Sequence, residues 1–406
     1  MPLISTLGRL ALAGALVALT GCGSLLRNPV PPELAAGATI PNMPEVRAWA
    51  GEASPTMQRD LETSYAQESR QDFRVGPDGV IHYAHLALSG GGANGAFGAG
   101  FLNGWSSTGA RPVFKIVTGV STGALMAPFA FLGAAYDGAL KEFYTTSRSG
   151  DIFGQASLLG MISNLFFGEA LTDTGPLASL IARHVDAELL GRIARAHQQG
   201  RRLYVGTVDL DSMSFVVWNM GLIAQSDRPE ALTLFRRVML ASASIPIAFP
   251  PVFFDVEADG RHYDELHVDG GVGAYVFFSA GLFSPTAARA RVAADPGRED
   301  IYVIHNGQLA PVASPTPRTV RGIAIRVLDT AGRTAVIGDL FRIYVGAQNE
   351  GAGYRWITIP RDFDLRGSEV FDPVLMGALF ELGYAQALAG GDWRTRPPGL
   401  EGQAGR

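Results

Sequence analysis

A strand, a tight turn and a helix follow one another in residues 113–133, which read VFKIVTGVSTGALMAPFAFLG. Val113–Thr118 is a short apolar, β-branched run, which predicts a buried strand. The glycines of Gly119-Val120-Ser121-Thr122-Gly123 let the chain bend sharply, and Thr122–Gly133 has a helical pattern. A G-x-S-x-G at such a junction holds its serine on the bend, with the hydroxyl exposed near a helix N-terminus. Ser121 is therefore the candidate nucleophile.

Strands alternate with helices on both sides of this segment. Further strands are predicted at 84–89, 202–208, 213–219, 301–305 and 354–359. Further helices are predicted at 95–107, 175–183, 186–198, 230–243, 318–348 and 373–389. Such alternation predicts an α/β fold in which helices flank a largely parallel central sheet.

The composition excludes several classes of protein. The chain has 406 residues, of which 47% are hydrophobic and 17% charged, so it is not intrinsically disordered. Its net charge is -5 and it has no basic run, so we expect no nucleic-acid partner. One cysteine excludes an intramolecular disulfide and a cysteine-rich metal site. We expect no metal ion and no cofactor.

The N-terminus has the pattern of a targeting segment. Residues 1–22 combine Arg9 with an apolar core that is short for a membrane span. Their end, Leu19-Thr20-Gly21-Cys22, resembles the lipobox of bacterial lipoproteins. That resemblance implies cleavage before Cys22 and lipidation of its thiol. By the sorting preference of such lipoproteins, Gly23 in place of Asp favours the outer membrane, and we expect the anchor on its periplasmic face. The alternative is an ordinary signal peptide in which the cysteine is incidental.

A second glycine cluster, Ser89-Gly90-Gly91-Gly92-Ala93-Asn94-Gly95, lies between a predicted strand and a predicted helix. Bare N–H groups at a helix N-terminus bind anionic oxygen. A dinucleotide-binding turn would fit Gly90, Gly92 and Gly95, but it needs an acidic residue about 20 positions later. No Asp or Glu lies between Ile81 and Tyr136. An oxyanion hole and a purely structural turn remain as alternatives.

The serine needs a base, and two kinds of candidate exist. The chain has seven histidines, and none follows an acidic residue in the late position that a Ser–Asp–His triad requires. His262 and His267 come closest, and we expect both to be surface or packing residues. Asp269-Gly270-Gly271 places a carboxylate on a sharp turn, although an ordinary Asp-Gly hairpin has the same sequence.

Together these motifs resemble the patatin-like phospholipase family, in the family's order. The matching segments are Gly90–Gly95, Gly119–Gly123, Asp269–Gly271, the stretch Ala241–Pro246 with Phe249-Pro250-Pro251, and Tyr204–Asp211. The resemblance covers about residues 82–280. It departs from the family pattern at Asn94, where Arg or Lys is usual, so a preference for anionic lipids is not implied.

The resemblance implies a three-layer fold and a Ser–Asp dyad that acts without histidine. Ser121 would be the nucleophile and Asp269 the proton acceptor, while Gly91, Gly92 and Thr122 would form the oxyanion hole. The implied reaction is ester hydrolysis of a lipid or lysolipid, of the phospholipase A or lysophospholipase type. A short-chain carboxylesterase or thioesterase, and a lipoprotein that binds lipid without catalysis, remain as alternatives.

The expected organisation has four parts. Residues 1–22 are the signal peptide, 23–80 a Pro-rich tether with a helix around 44–69, 81–391 the catalytic domain and 392–406 a frayed tail. The acyl pocket is expected near Phe97, Phe101, Leu102 and Leu125–Leu132. The apolar residues 158–167 fit either a mobile lid or an ordinary buried helix.

Overall fold

The computed structural model describes residues 27–153, 173–292, 296–310, 313 and 315–400. The expected signal segment with Cys22, the expected lid at 158–167 and the last residues of the expected tail lie outside these ranges. Within them, no helix is both long and apolar enough to cross a bilayer.

The described residues form one nine-stranded sheet. Its strands are β1 (Arg47–Trp49), β2 (Ile81–Leu88), β3 (Phe114–Val120), β4 (Arg202–Asp209), β5 (Ser214–Asn219), β6 (Val252–Ala258), β7 (Arg261–Asp269), β8 (Gly297–His305) and β9 (Gly353–Thr358). The main path runs β1-β5-β4-β3-β2-β8-β9. The five strands from β4 to β9 on this path pair in parallel, whereas β1, β5, β6 and β7 pair antiparallel.

Twelve α-helices surround the sheet in the described part of the chain. They are α1 (Pro55–Ala66), α2 (Gly95–Ser107), α3 (Thr122–Leu132), α4 (Asp137–Thr146), α5 (Ser149–Phe153), α6 (Gly175–His184), α7 (Ala187–Gln198), α8 (Met220–Ala224), α9 (Ala231–Ser242), α10 (Pro285–Val292), α11 (Val320–Glu350) and α12 (Pro373–Leu388). Short 3-10 turns lie at Ala35–Gly37, Gly92–Asn94, Ala134–Tyr136 and Gly270–Val272.

The helices cover both faces of the sheet, which is why β2 is apolar on both sides. Leu86 and Leu88 belong to one buried cluster with α2, α3, α9 and α12. Tyr83 and Ala87 belong to another cluster with α1 and α11. Successive side chains of a strand point to opposite faces, so one run supplies two cores. The structure confirms the predicted α/β fold with a largely parallel central sheet.

The hairpin β6–β7 is not predicted from the sequence pattern. Charged residues such as Asp255, Glu257 and Asp264 interrupt its apolar positions, because one side of the hairpin is only partly buried. The turn at Asp259-Gly260 carries a hairpin signal, with positive φ at both residues. This hairpin delivers the candidate base Asp269 at the end of β7.

Two segments pack more closely than their sequence suggests. Within the expected tether, β1 pairs with β5, and Met57 and Leu61 of α1 are fully buried. In the expected tail, the Trp393 ring packs against Phe101 and Trp105. The described parts of both segments therefore belong to the folded body. The proline and glycine content of these two segments predicts a loosely packed chain. Their few apolar side chains nevertheless pack on the core.

Candidate active site

Ser121 lies on a strained bend between β3 and α3. Its backbone has φ 55 and ψ −125, a conformation that side-chain-bearing residues rarely adopt. A Cβ on Gly119 would lie 2.4 Å from the Gly123 carbonyl oxygen, and one on Gly123 would lie 2.3 Å from the Leu88 oxygen. Both flanking glycines of the G-x-S-x-G motif are thus required by close backbone approach.

Ser242 holds the bend in place. The Ser121 N–H donates to the Ser242 Oγ at 3.0 Å, and that hydroxyl donates to the Gly206 carbonyl at 2.7 Å. Ser242 belongs to the Ala241–Pro246 stretch, and it ties α9 and β4 to the candidate nucleophile. Its positioning role was not predicted from the sequence.

Strand β4 brings Asp269 beside Ser121. Val120, at the end of β3, pairs with Gly206 of β4, and Asp269, at the end of β7, pairs with the next residue, Thr207. A Cβ on Gly270 would lie 2.4 Å from the Gly206 oxygen, so a glycine is needed there. Because both strands pair with adjacent residues of β4, the end of β3 and the end of β7 lie next to each other.

The Asp269 carboxyl is buried and only half satisfied. Its Oδ1 accepts the Gly271 N–H at 2.7 Å, whereas its buried Oδ2 has no hydrogen-bond partner among the described residues. Burial raises the pKa of Asp269 to about 7, although the neighbouring Ser121 hydroxyl and the Gly271 N–H favour the ionised form. A carboxylate with this pKa and an open oxygen is suited to accept a proton from Ser121.

The glycine loop offers backbone donors next to the nucleophile. The Gly90 N–H is used by the Tyr275 carbonyl at 2.9 Å. In contrast, the N–H groups of Gly91, Gly92 and Thr122 donate to no acceptor within the described ranges. Gly92 and Thr122 line the same pocket as Ser121. The structure thus places Gly92 and Thr122, two of the three residues that the family resemblance assigns to the oxyanion hole, in one pocket with Ser121. Gly91 directly precedes Gly92, and the role of all three stays a prediction.

Asn306 holds the glycine loop in place through hydrogen bonds, a positioning role that the sequence analysis did not predict. The Asn306 amide donates to the Ser89 carbonyl at 3.0 Å and accepts the Gly98 N–H at 3.1 Å. Its backbone N–H donates to the Ser89 hydroxyl at 2.8 Å. Asn306 directly follows β8, and the carboxyl edge of a parallel sheet is where sites form. That position was the signal that could have found it.

An apolar, narrow pocket opens at Ser121. Its apolar wall is formed by Leu125, Phe143, Ile152, Leu177, Ile245, Phe249, Phe371 and Met376. Of the residues expected to line an acyl pocket, Leu125 does so. Phe97, Phe101 and Leu102 instead are buried in the helix-packed core, because α2 lies against α12.

The two histidines near Asp269 do not reach the nucleophile. His262 is exposed on β7. His267 is fully buried, and its two ring nitrogens face the Thr207 hydroxyl at 2.9 Å and Glu265 at 3.1 Å. These positions agree with the expected surface and packing roles.

One cluster in the described ranges has metal-ligand spacing, but it contains a competing cation. Potential ligand atoms of Asp209, Glu265 and His267 lie within 4.8 Å of one another. Arg47 donates to both oxygens of Glu265 from a buried position. Despite burial, the hydrogen bonds of His267 and Arg47 hold the pKa of Glu265 at about 2. The guanidinium therefore supplies the positive charge that a metal would otherwise bring.

The raised pKa of Asp269 predicts the pH dependence of any reaction at this site. Only the ionised carboxyl can accept a proton, so kcat/KM should fall about tenfold per pH unit below pH 7. A carboxyl with an ordinary pKa near 3.9 would keep full activity down to about pH 5. A kcat/KM profile from pH 4 to 9, measured on a soluble p-nitrophenyl ester, distinguishes the two. A plateau that extends to pH 5 would contradict the assignment.

A family model described as patatin-like phospholipase matches residues 86–280. VipD from Legionella pneumophila is similar at 12% identity and a TM-score of 0.37, over 78% of this chain and 69% of VipD. The complex of SpcU with ExoU from Pseudomonas aeruginosa gives 14% identity and a TM-score of 0.27, over 76% of this chain and 51% of the matched chain.

Human GIVD cytosolic phospholipase A2 gives 10% identity and a TM-score of 0.34, over 77% of this chain and 54% of the human one. The chain thus spans about half the length of these last two matches. No curated protein sequence matches it. The family match covers the glycine loop, the G-x-S-x-G turn and the Asp-Gly-Gly turn, and it confirms the resemblance drawn from those motifs. Residues 86–280 are therefore similar to the patatin-like phospholipase family.

Proposed function

We propose that this domain is a serine acyl hydrolase of lipids that works through a Ser121–Asp269 dyad. The observation that carries the proposal is the buried Asp269 carboxyl, which has one unbonded oxygen and a pKa near 7 beside the Ser121 hydroxyl. The family match supports lipid acyl hydrolysis as the reaction class.

The proposed reaction has two acyl-transfer steps. Asp269 accepts the Ser121 proton while the serine oxygen attacks the ester carbonyl, and the N–H groups of Gly91, Gly92 and Thr122 bind the resulting oxyanion. Collapse breaks the ester bond, and Asp269 returns the proton to the leaving alcohol. Water then attacks the acyl-serine while Asp269 accepts its proton, and the fatty acid leaves as Ser121 is protonated again.

Two other functions remain to be separated from this one. A short-chain carboxylesterase or thioesterase would use the same residues, and a lipid-binding lipoprotein would use none of them. The apolar wall of the pocket at Ser121 favours an acyl chain over a polar acyl group.

Product analysis tests the proposal directly. The protein should release fatty acid and lysophospholipid from mixed bacterial phospholipids, and Ser121→Ala should release neither. Mass spectrometry of the lipid extract measures both products. Cleavage of p-nitrophenyl butyrate alone would favour the short-chain esterase, and failure to label Ser121 with a fluorophosphonate would favour a non-catalytic lipoprotein.

We further propose that the mature chain is a lipoprotein of the bacterial cell envelope, anchored at the outer membrane through Cys22. The support is the position of the only cysteine at the end of the apolar N-terminal segment. Cys22→Ser should give an exported protein that incorporates no labelled palmitate, because the thiol is the acylation site. Processing that is insensitive to globomycin in the unmodified protein would contradict the anchor.

A further inference from the structure

The first three turns of α11 project from the folded body. Val320 is 89% exposed, Ile323 53% and Val327 60%. Among the helix residues whose burial is described, Gly332 is the first buried one, and the twelve residues before it span about 18 Å at 1.5 Å each. The remainder of the helix packs on the sheet through residues such as Val336 and Leu340.

The projecting turns carry exposed apolar side chains along one face of the helix. Val320, Ile323, Val327 and Leu328 are all exposed, and they follow the i, i+3, i+7, i+8 spacing of one helix face. The charged residues Arg326, Asp329 and Arg333 follow an i, i+3, i+7 spacing on the other side of the helix. A helix of a globular protein normally buries such an apolar face.

The charge of this segment is opposite to that of the protein. Residues 318–333 contain four arginines and one aspartate, whereas the whole chain carries -5. Apolar side chains with arginines beside them are typical of helices that lie in the interface of an anionic bilayer. A second copy of this acidic chain offers no general attraction of that kind.

The projection starts beside the candidate dyad. A Cβ on Gly332 would lie 2.5 Å from the Tyr275 ring. The same ring lies next to Gly90 and Gly271, whose ideal Cβ positions are 3.6 and 3.5 Å from it. One aromatic side chain thus connects α11 with both the glycine loop and the turn that holds Asp269. Two further apolar residues are exposed nearby. Ile245 belongs to the pocket wall, and Val272 belongs to the turn that holds Asp269.

We propose that Val320–Ala331 is an interfacial helix that docks the domain on a bilayer of anionic phospholipid, next to the mouth of the Ser121 pocket. The inference rests on the proposed lipid hydrolysis for its purpose, but the docking itself is measurable without turnover. The helix would hold the Ser121 pocket against the bilayer that contains the substrate.

A site-specific fluorophore tests the docking. Because Cys22 is the only cysteine, Cys22→Ser gives a chain in which an added cysteine is the only label site. Val327→Cys carries the environment-sensitive NBD label in the projection. Val345→Cys is the matched control, since this valine is 52% exposed on the same helix but outside the projection. All proteins are full length and carry Ser121→Ala, so the vesicles stay intact.

Phosphatidylglycerol–phosphatidylethanolamine vesicles should raise NBD emission at position 327 at least threefold with a blue shift, and should leave position 345 nearly unchanged. Pure phosphatidylcholine vesicles should give a much smaller response. No response at 327, or equal responses at 327 and 345, would overturn the proposal, as would equal responses to both lipids. A blue-shifted signal without vesicles would mean that a second copy or another segment of this chain covers the helix.

Kinetics separate this inference from the proposed function. In active protein, Ile323→Ser with Val327→Ser should lower the ratio of vesicle hydrolysis to p-nitrophenyl butyrate hydrolysis about tenfold. Val345→Ser should leave that ratio unchanged. An unchanged ratio in the double variant would refute the docking helix while lipid hydrolysis stands. Absence of vesicle hydrolysis in the unmodified protein would refute the function, and the NBD result would still decide the docking.

Discussion

Asp269→Asn should lower kcat/KM for ester hydrolysis by about 10²–10⁴-fold, with little residual activity at neutral pH. The amide keeps the shape and can still accept the Gly271 N–H, but it cannot take a proton from Ser121. The loss corresponds to about 3–5 kcal/mol of activation free energy. Ser121→Ala should be at least as damaging, because it removes the attacking oxygen. Steady-state rates on p-nitrophenyl esters measure both effects.

Asp269→Asn should also stabilise the folded protein at alkaline pH. Folded Asp269 ionises near pH 7, and an unfolded aspartate near 3.8. Between these values the folded state binds the extra proton, so stability is lost as pH rises through this window. The loss is on the order of 4 kcal/mol above pH 7. Asn is neutral throughout, so Asp269→Asn should have a higher Tm than wild type at pH 8 and no advantage near pH 4.

Matched variants test whether Asp269 is special. Asp259→Asn is the control for the chemical change, because Asp259 is exposed at a turn whose φ of 49 also suits asparagine. His262→Ala should stay within about tenfold of wild type, a cost of about 1.4 kcal/mol or less. His267→Gln should do the same where it folds, since His267 faces Thr207 and Glu265. A 10²-fold loss in either histidine variant, with Asp269→Asn still active, would establish a histidine mechanism instead.

Gly91→Ala should lower kcat by about 10²–10³-fold, the cost of losing one oxyanion donor in other acyl-transfer enzymes. The new Cβ would lie 2.0 Å from the Asn306 carbonyl oxygen, which is backbone and cannot swing aside. The glycine loop must therefore shift, and the Gly91 and Gly92 N–H groups shift with it. KM should change less than kcat, because the oxyanion forms only during the reaction.

Gly109→Ala is the control for this substitution. Gly109 lies in a surface turn with φ +70, and a Cβ there would meet nothing within 4 Å. Gly109→Ala should lower the free energy of unfolding by about 1 kcal/mol and should leave kcat unchanged. Circular dichroism and thermal unfolding show whether each variant folds. A folded Gly91→Ala protein with wild-type kcat would remove the glycine loop from the mechanism.

The features that the sequence was sufficient to predict are local ones. The turn at Ser121 is predicted by glycines at fixed spacing between an apolar strand and a helix, a pattern that lies within a few residues of the serine. The glycine loop before α2 and the alternation of strands with helices are equally short-range patterns. The α/β fold could be predicted for the same reason, since each strand and helix carries its own periodicity.

The features that required the folded structure depend on residues far apart in the chain. Val120 and Asp269 become neighbours only because β4 pairs with β3 up to Gly206 and with β7 from Thr207 onward. The pKa of Asp269 is raised by desolvation, which no motif encodes, because it depends on everything packed around the carboxyl. The docking of residues 27–80 on the sheet likewise rests on a few distant contacts, such as Arg47 with Glu265, that local composition does not reveal.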